Sequence, residues 1–576
     1  DFNSPSIFAA LLDDDRGGSF SIAPTAPAKY RQSYLPDTNI LVTRFLLPGA
    51  VAELSDFMPV EGPGSSSTGE GPGSHSPHHI MRHVQVVRGE IDLAIACRPR
   101  FDYARSDHRI TRDSAGFIFK PTHTGVPALR LSSSVDLEVS GGDVTGTVHL
   151  KAGQSAWFVL AEVVAGAGER TWSHDAVVAA FEGTGAFWRQ WIGRSTYRGR
   201  WREMVNRSAM VLKLLFSAHW GTLLAAATFG LPEEIGGVRN WDYRYTWIRD
   251  ASFTLHALLR IGLGEEVVPF VGWLEKQIRS RGPTGPLQVM YGIDGTRDLT
   301  EVSLDHFSGY LGSRPVRIGN AAYQQLQLDV YGELLDALYL YGKSGQKLSH
   351  SLWMTIEGMV NWVCDNWERR GEGIWEMRGG THEFLYSRVM CWVAIDRAMR
   401  IARDGSRPAP ISRWHDVRDE IYRNVFDKFW NPRRGAFVQY PGADILDASA
   451  LMMPLVKFIS PTDPMWLGTL DAISTHLVED SLVYRYRTRD SLPGQEGTFS
   501  ICTFWYAQCL SQAGRVREAR LVFEKMLGYA NHVGLYAEQL GPCAEHLGNF
   551  PQALTHLGLI SAACEINRTL ERTRIA

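Results

Sequence analysis

The sequence predicts a multidomain β + α protein: an antiparallel β domain, a linker helix, and a large all-helical domain. Three observations predict this. The chain has 576 residues, more than one hydrophobic core organises. Up to about residue 170, apolar residues recur with period two between Gly, Pro and Ser turns, the mark of half-buried strands. Beyond that point the period becomes helical.

Taken in order, strands are expected within Asn39–Phe45, Val84–Ile95, Phe117–Phe119, Leu129–Leu131, Val135–Val139, Val144–Leu150 and Ala156–Leu160. So many strands without intervening helices point to an antiparallel sandwich over residues 1–170. Residues 61–79 are rich in Gly, Ser, Pro and His and lack any core pattern, so they are expected to be a loop or disordered insert. Ser173–Trp191 reads as a helix, the centre of a linker over 171–197. About twelve helical stretches follow in 198–576, near 200–219, 249–262, 264–281, 320–343, 348–369, 382–403, 411–429, 446–457, 463–478, 498–513, 515–530 and 549–568. Asp463-Pro464 offers an N-cap followed by Pro in the first turn, and Asn549 is expected to cap the last helix. Twelve helices joined by loops of alternating length fit a closed double ring of six pairs, with the long loops gathered on one functional face.

Composition excludes several classes. A net charge of −3 gives no electrostatic case for nucleic acid or an anionic membrane surface. No apolar run reaches the length of a membrane span. No His, Asp, Glu or Cys group has metal-ligand spacing, so neither metal nor cofactor is expected. The seven cysteines are odd in number and sit mostly in apolar helical surroundings, which suggests free thiols in a reducing, cytoplasmic compartment. The oligomeric state stays open, a homodimer included.

Three acidic or aromatic clusters carry the chemistry. Glu376 stands in Gly-Ile-Trp-Glu-Met, between two helices. Burial beside Ile374 and Trp375 would raise its pKa and suit it to proton donation. Glu538 stands in Tyr-Ala-Glu-Gln. There an ionised carboxylate could take a proton from water, with Gln539 helping to orient that water. The stretch Asn240-Trp-Asp-Tyr-Arg-Tyr-Thr-Trp-Ile-Arg-Asp250 crowds aromatic and charged groups together. Its Arg249 and Asp250 could clamp sugar hydroxyls with charge-assisted hydrogen bonds. One carboxylic acid and one carboxylate on opposite sides of a bond are what glycosidic cleavage needs.

These motifs, together with Gly494-Gln-Glu-Gly-Thr-Phe-Ser-Ile-Cys-Thr-Phe-Trp505, resemble glycoside hydrolase family 15 over nearly the whole chain. That family holds glucoamylases, glucodextranases, isomaltose-releasing glucosidases and bacterial-type trehalases. The resemblance implies a β-supersandwich, a linker helix and an (α/α)6 barrel. It implies Glu376 as general acid and Glu538 as general base. It places Trp247, Arg249 and Asp250 on the terminal glucose beside Trp375, Tyr243 near the attacking water, and Arg485 near the pocket. It implies inversion, hence a gap of about 6.5–9.5 Å between the carboxyls. Leu311-Gly-Ser-Arg-Pro315 lacks the aromatic that starch-degrading members carry there, and a separate starch-binding domain after the barrel is not expected. The leading expectation is therefore an exo-acting inverting α-glucosidase for short α-glucosides, with a saccharide as its small-molecule partner. An α,α-trehalase of the same family is the alternative. A disaccharide phosphorylase and a non-catalytic helical-repeat sugar-binding protein are the competing classes; the latter draws on a 34-residue echo between Ala513 and Leu547.

Overall fold

The computed structural model describes residues 2–60, 78–123, 125–164, 171–280, 286–488, 494 and 496–575. The insert expected at 61–79 lies almost wholly outside them. The chain forms two compact units. One comprises Asp1–Arg194 with Leu304–Leu311, the other Ser195–Ser303 with Gly312–Ala576.

The first unit is built on two antiparallel sheets, one of four strands and one of eight. A single hydrophobic cluster takes side chains from both, among them Leu93, Ile95 and Val144 from the smaller and Phe45, Val84, Phe119 and Phe158 from the larger. The period-two stretch at 84–95 is two strands, His79–Arg88 and Glu90–Arg98. Gly89 between them has φ +73°, and a side chain there would meet the backbone of Gly49. Strands Ser19–Pro24, Lys29–Tyr34, Val51–Phe57 and His108–Asp113 were not expected from sequence; Lys29–Tyr34 is largely exposed and has no apolar alternation to reveal it. The helix His174–Gly193 falls within this unit, capped by Ser173, whose hydroxyl accepts from Ala176 N. The segment Leu304–Leu311 belongs here too: His306 Nε2 lies 2.7 Å from Tyr103 O, and Ser308 N donates to Asp13 Oδ2 at 3.0 Å.

The second unit is helical. Counting the whole chain, the described residues form 14 α-helices. Ile248–Arg260, Val330–Lys343, Leu385–Asp404, Met452–Leu455, Ser500–Gln512 and Ala553–Ile575 each pack on the next, and the last packs back on the first. Burial follows that arrangement. Only Gln512 of Ser500–Gln512 escapes full burial, so this helix shows almost no amphipathic stripe. By contrast Val516–Leu527 buries four positions along one face, Ala519, Val522, Phe523 and Met526. Asp463 caps Pro464–His476 as its sequence predicts, accepting from Met465 N at 2.8 Å. Asn549 does not cap the last helix, which begins at Ala553. Its side chain instead accepts from Thr228 Oγ1 and donates to Trp241 O. All seven cysteines are free thiols, five of them buried. Among the described residues no helix is long and apolar enough to cross a membrane.

Candidate active site

The loops that lead into the packed helices supply one polar cavity. Trp241, Tyr243, Trp247, Arg249 and Asp250 reach it from the entry to Ile248–Arg260. Residues 374–378 reach it from before Leu385–Asp404. Arg485, Glu496 and Phe499 come from before Ser500–Gln512, and Glu538 from before Ala553–Ile575. Asp242, Arg244 and Tyr245 do not line the cavity; Arg244 and Tyr245 both hydrogen-bond to Asp242, in a buried ion pair and a phenol contact.

Glu376 sits on a strained turn, with φ +57°, a region that costs a non-glycine residue about 1–3 kcal/mol. Its neighbours hold it there. Glu376 N donates to Gly373 O at 3.1 Å, Gln325 Nε2 donates to Glu376 O at 3.2 Å, and Arg249 Nη1 donates to Ile374 O at 2.8 Å. The carboxyl accepts from Trp247 Nε1 at 2.7 Å and lies 3.6 Å from Arg249 Nη1. Burial pushes its pKa up, against the opposing pull of Arg249 and the Trp247 bond. Arg249 in turn pairs with Asp250 at 3.2 Å. Trp375 is anchored behind them: its Nε1 donates to both oxygens of buried Asp447, at 2.9 and 3.1 Å.

Glu538 accepts from the Tyr243 hydroxyl at 2.8 Å through Oε1; its Oε2 has no hydrogen-bond partner among the described residues. Its backbone carbonyl receives Ser500 N at 2.9 Å, which ties it to the start of a core helix. Burial raises its pKa well above the usual carboxylate range, and the negative charge of Glu233 adds to that. The Tyr243 and Trp247 rings meet edge to face at 5.4 Å. The two carboxyls therefore stand on adjacent aromatic supports and make no hydrogen bond with each other.

Gln539 is not in the cavity. Strand alternation turns it away from the face of Glu538, and its Oε1 accepts from Gly497 N at 2.9 Å. Phe229 lies under the Arg244 guanidinium at 4.3 Å and does not line the cavity. Arg485 does line the cavity, stacked over Phe499 at 4.7 Å and paired with Glu496 through Nε at 3.0 Å. The residues that sequence reasoning missed are Glu233, Arg239, Glu496 and Arg378. Glu496 lies in the Gly-Gln-Glu-Gly motif quoted above, so it had a local signal without a role. Among the described residues no group of three or more His, Cys, Asp or Glu could hold a metal ion.

Breaking a glycosidic bond asks for one carboxyl that holds a proton beside another that can accept one, both shielded from bulk water. This chain is a glycoside hydrolase, and its relatives narrow the class. It belongs to glycosyl hydrolases family 15, whose model matches residues 199–564; a model for a trehalase-like N-terminal domain matches residues 1–178. The chain is 38% identical over 98% of its length to a trehalase of Thermoplasma acidophilum, covering 94% of that protein. It is 35% identical over 99% of its length to a trehalase of Mycobacterium tuberculosis, covering 86% of it. In fold it matches a bacterial glucoamylase crystallised with acarbose, with a TM-score of 0.71 at 13% identity, over 100% of this chain and 92% of that one.

Proposed function

We propose that this chain is an inverting α,α-trehalase, narrower than the short-α-glucoside reading that the sequence favours. The observation that carries it is the pair of differently supported carboxyls, Glu376 on Trp247 and Glu538 on Tyr243, lining one cavity. The trehalases among its relatives supply the substrate. Arg249 and Asp250, with Trp247 and Trp375, hold the glucose whose anomeric carbon is attacked, and Arg485 borders the pocket. Glu376 protonates the bridging oxygen. Glu538 takes a proton from water on the opposite face, its carboxylate held in place by the Tyr243 phenol. In fold terms, the two sheets form a β-supersandwich, and six inner helices with six outer partners form an (α/α)6 barrel.

The stereochemistry tests it. Water attacks one anomeric carbon with inversion while the leaving glucose keeps its own α configuration. Proton NMR before mutarotation should therefore show α- and β-glucose in equal amounts. α-Glucose alone would mean retention, and intact trehalose would refute the substrate. Glu376→Gln should lower kcat on trehalose roughly a hundred- to ten-thousandfold, the usual worth of a positioned proton donor.

A further inference from the structure

The cavity holds two hydrogen-bonded sets of side chains. The first, around the proton donor, is Trp247, Arg249, Asp250 and Glu376. The second set is Glu233, Trp241, Arg239, Arg485 and Glu496, with Arg378 at the exposed mouth. Glu233 is 3% exposed, yet its hydrogen bonding is half used. Oε1 accepts from Trp241 Nε1 at 2.9 Å, while Oε2 has only ion contacts, 3.8 Å to Arg485 and 4.0 Å to Arg239. Arg378 is likewise half used. Its Nη2 binds Glu301 at 3.0 Å and its guanidinium lies 4.1 Å over the Trp241 ring, leaving Nε and Nη1 without a protein acceptor among the described residues. Glu301 also pairs with Arg317 at 3.1 Å, and Arg317 lies 5.0 Å over the same ring, so the indole is held in place.

We propose that Glu233, Trp241 and Arg378 form the subsite for the leaving glucose, and that Glu233 sets the preference for a sugar as leaving group. The inference rests on the trehalase reading. A sugar presents neighbouring hydroxyls that each donate and accept. A carboxylate oxygen and an idle guanidinium edge across an aromatic platform match that pattern. The leaving glucose of trehalose is joined through its own anomeric oxygen, so its other hydroxyls are free to meet such groups. Buried polar groups built for hydroxyls reject a partner that cannot meet them, because they are then left unpaired.

α-Glucosyl fluoride separates this subsite from the bond-breaking machinery, since it has no leaving sugar and engages only the first set. Glu233→Gln and Arg378→Gln are compared with the unmodified protein on trehalose and on α-glucosyl fluoride, each at the top of its own pH profile. The expected result is a higher KM for trehalose, and a loss of kcat/KM on trehalose at least about tenfold greater than on the fluoride. The alkaline side of the profile should stay in place, because the proton donor is untouched. Equal losses on the two substrates, or a fall in kcat with KM unmoved, would overturn the proposal. If the unmodified protein cleaves the fluoride but not trehalose, the trehalase reading itself fails.

Discussion

At the scale of single residues, burial raises the pKa of both carboxyls, while their hydrogen-bond partners differ. Trp247 and Arg249 stabilise the ionised form of Glu376, but burial outweighs them and the proton is held to higher pH. A proton donor works only while protonated, so activity should fall on the alkaline side as pH passes above the ordinary carboxylate range. Glu538 must be ionised to act. Its raised pKa, shared with Glu233, places the acidic limb above that range as well, and the limb belongs to the pair rather than to either residue. The Tyr243 hydroxyl favours the ionised form of Glu538. Tyr243→Phe removes that support, so the acidic limb of kcat/KM should move to higher pH while the alkaline limb stays. A limb that stays put or moves down would show that the phenol does not act on the base.

At the scale of elements, short strands do the positioning. Thr498–Phe499, Gln539–Leu540 and His546–Leu547 form one small sheet, and the carbonyl of Glu538 is bonded at its edge. The next residue after that sheet is Gly548, at φ +76°. A β-carbon there would stand 2.5 Å from Glu538 Oε2. Gly548→Ala should therefore displace the carboxylate and cut kcat at least about tenfold, in keeping with the sensitivity of catalysis to about 1 Å of misplacement. A fully active G548A enzyme, checked for native circular dichroism, would show that Glu538 needs no such clearance.

Much of this level was legible beforehand. Helices such as Ile411–Phe429 and Ser500–Gln512 fall within two residues of expectation because long periodic runs declare themselves. Glu376, Glu538 and the Trp247 to Asp250 group could be singled out because acidic and aromatic residues crowd into loops between helices. The two-residue strands of the pocket rim have no period to read. Hence Gln539 was expected on the water and Glu233 was not expected at all: which side chain faces the cavity depends on an alternation too short to leave a pattern.

At the scale of the molecule, the second unit buries acids that never reach the cavity. Asp329 is 1% exposed, accepts from Ser387 Oγ at 3.0 Å, and has Oδ1 without a hydrogen-bond partner among the described residues. Burial raises its pKa from 3.8 to about 6. The folded state therefore holds this proton more tightly than the unfolded chain. The associated stability is complete below about pH 4 and is lost as pH rises through about 6, on the order of 3 kcal/mol in all. Asp329→Asn keeps the acceptor for Ser387 and removes the titration. Thermal melts should show the variant more stable than the unmodified protein at pH 8, with the gap closing at pH 4. An equal gap at both pH values would place the effect outside ionisation.

The excursion of Leu304–Leu311 into the first unit has a practical meaning. Its Ser308 is bonded to Asp13 and its Phe307 is 1% exposed. The polypeptide visits the amino-terminal body twice, so no single cut separates two uninterrupted pieces. Expressed alone from Ser195 onward, the catalytic portion would carry an octapeptide stripped of its seat. Chimeras that exchange amino-terminal bodies between relatives would have to move that short graft along with them.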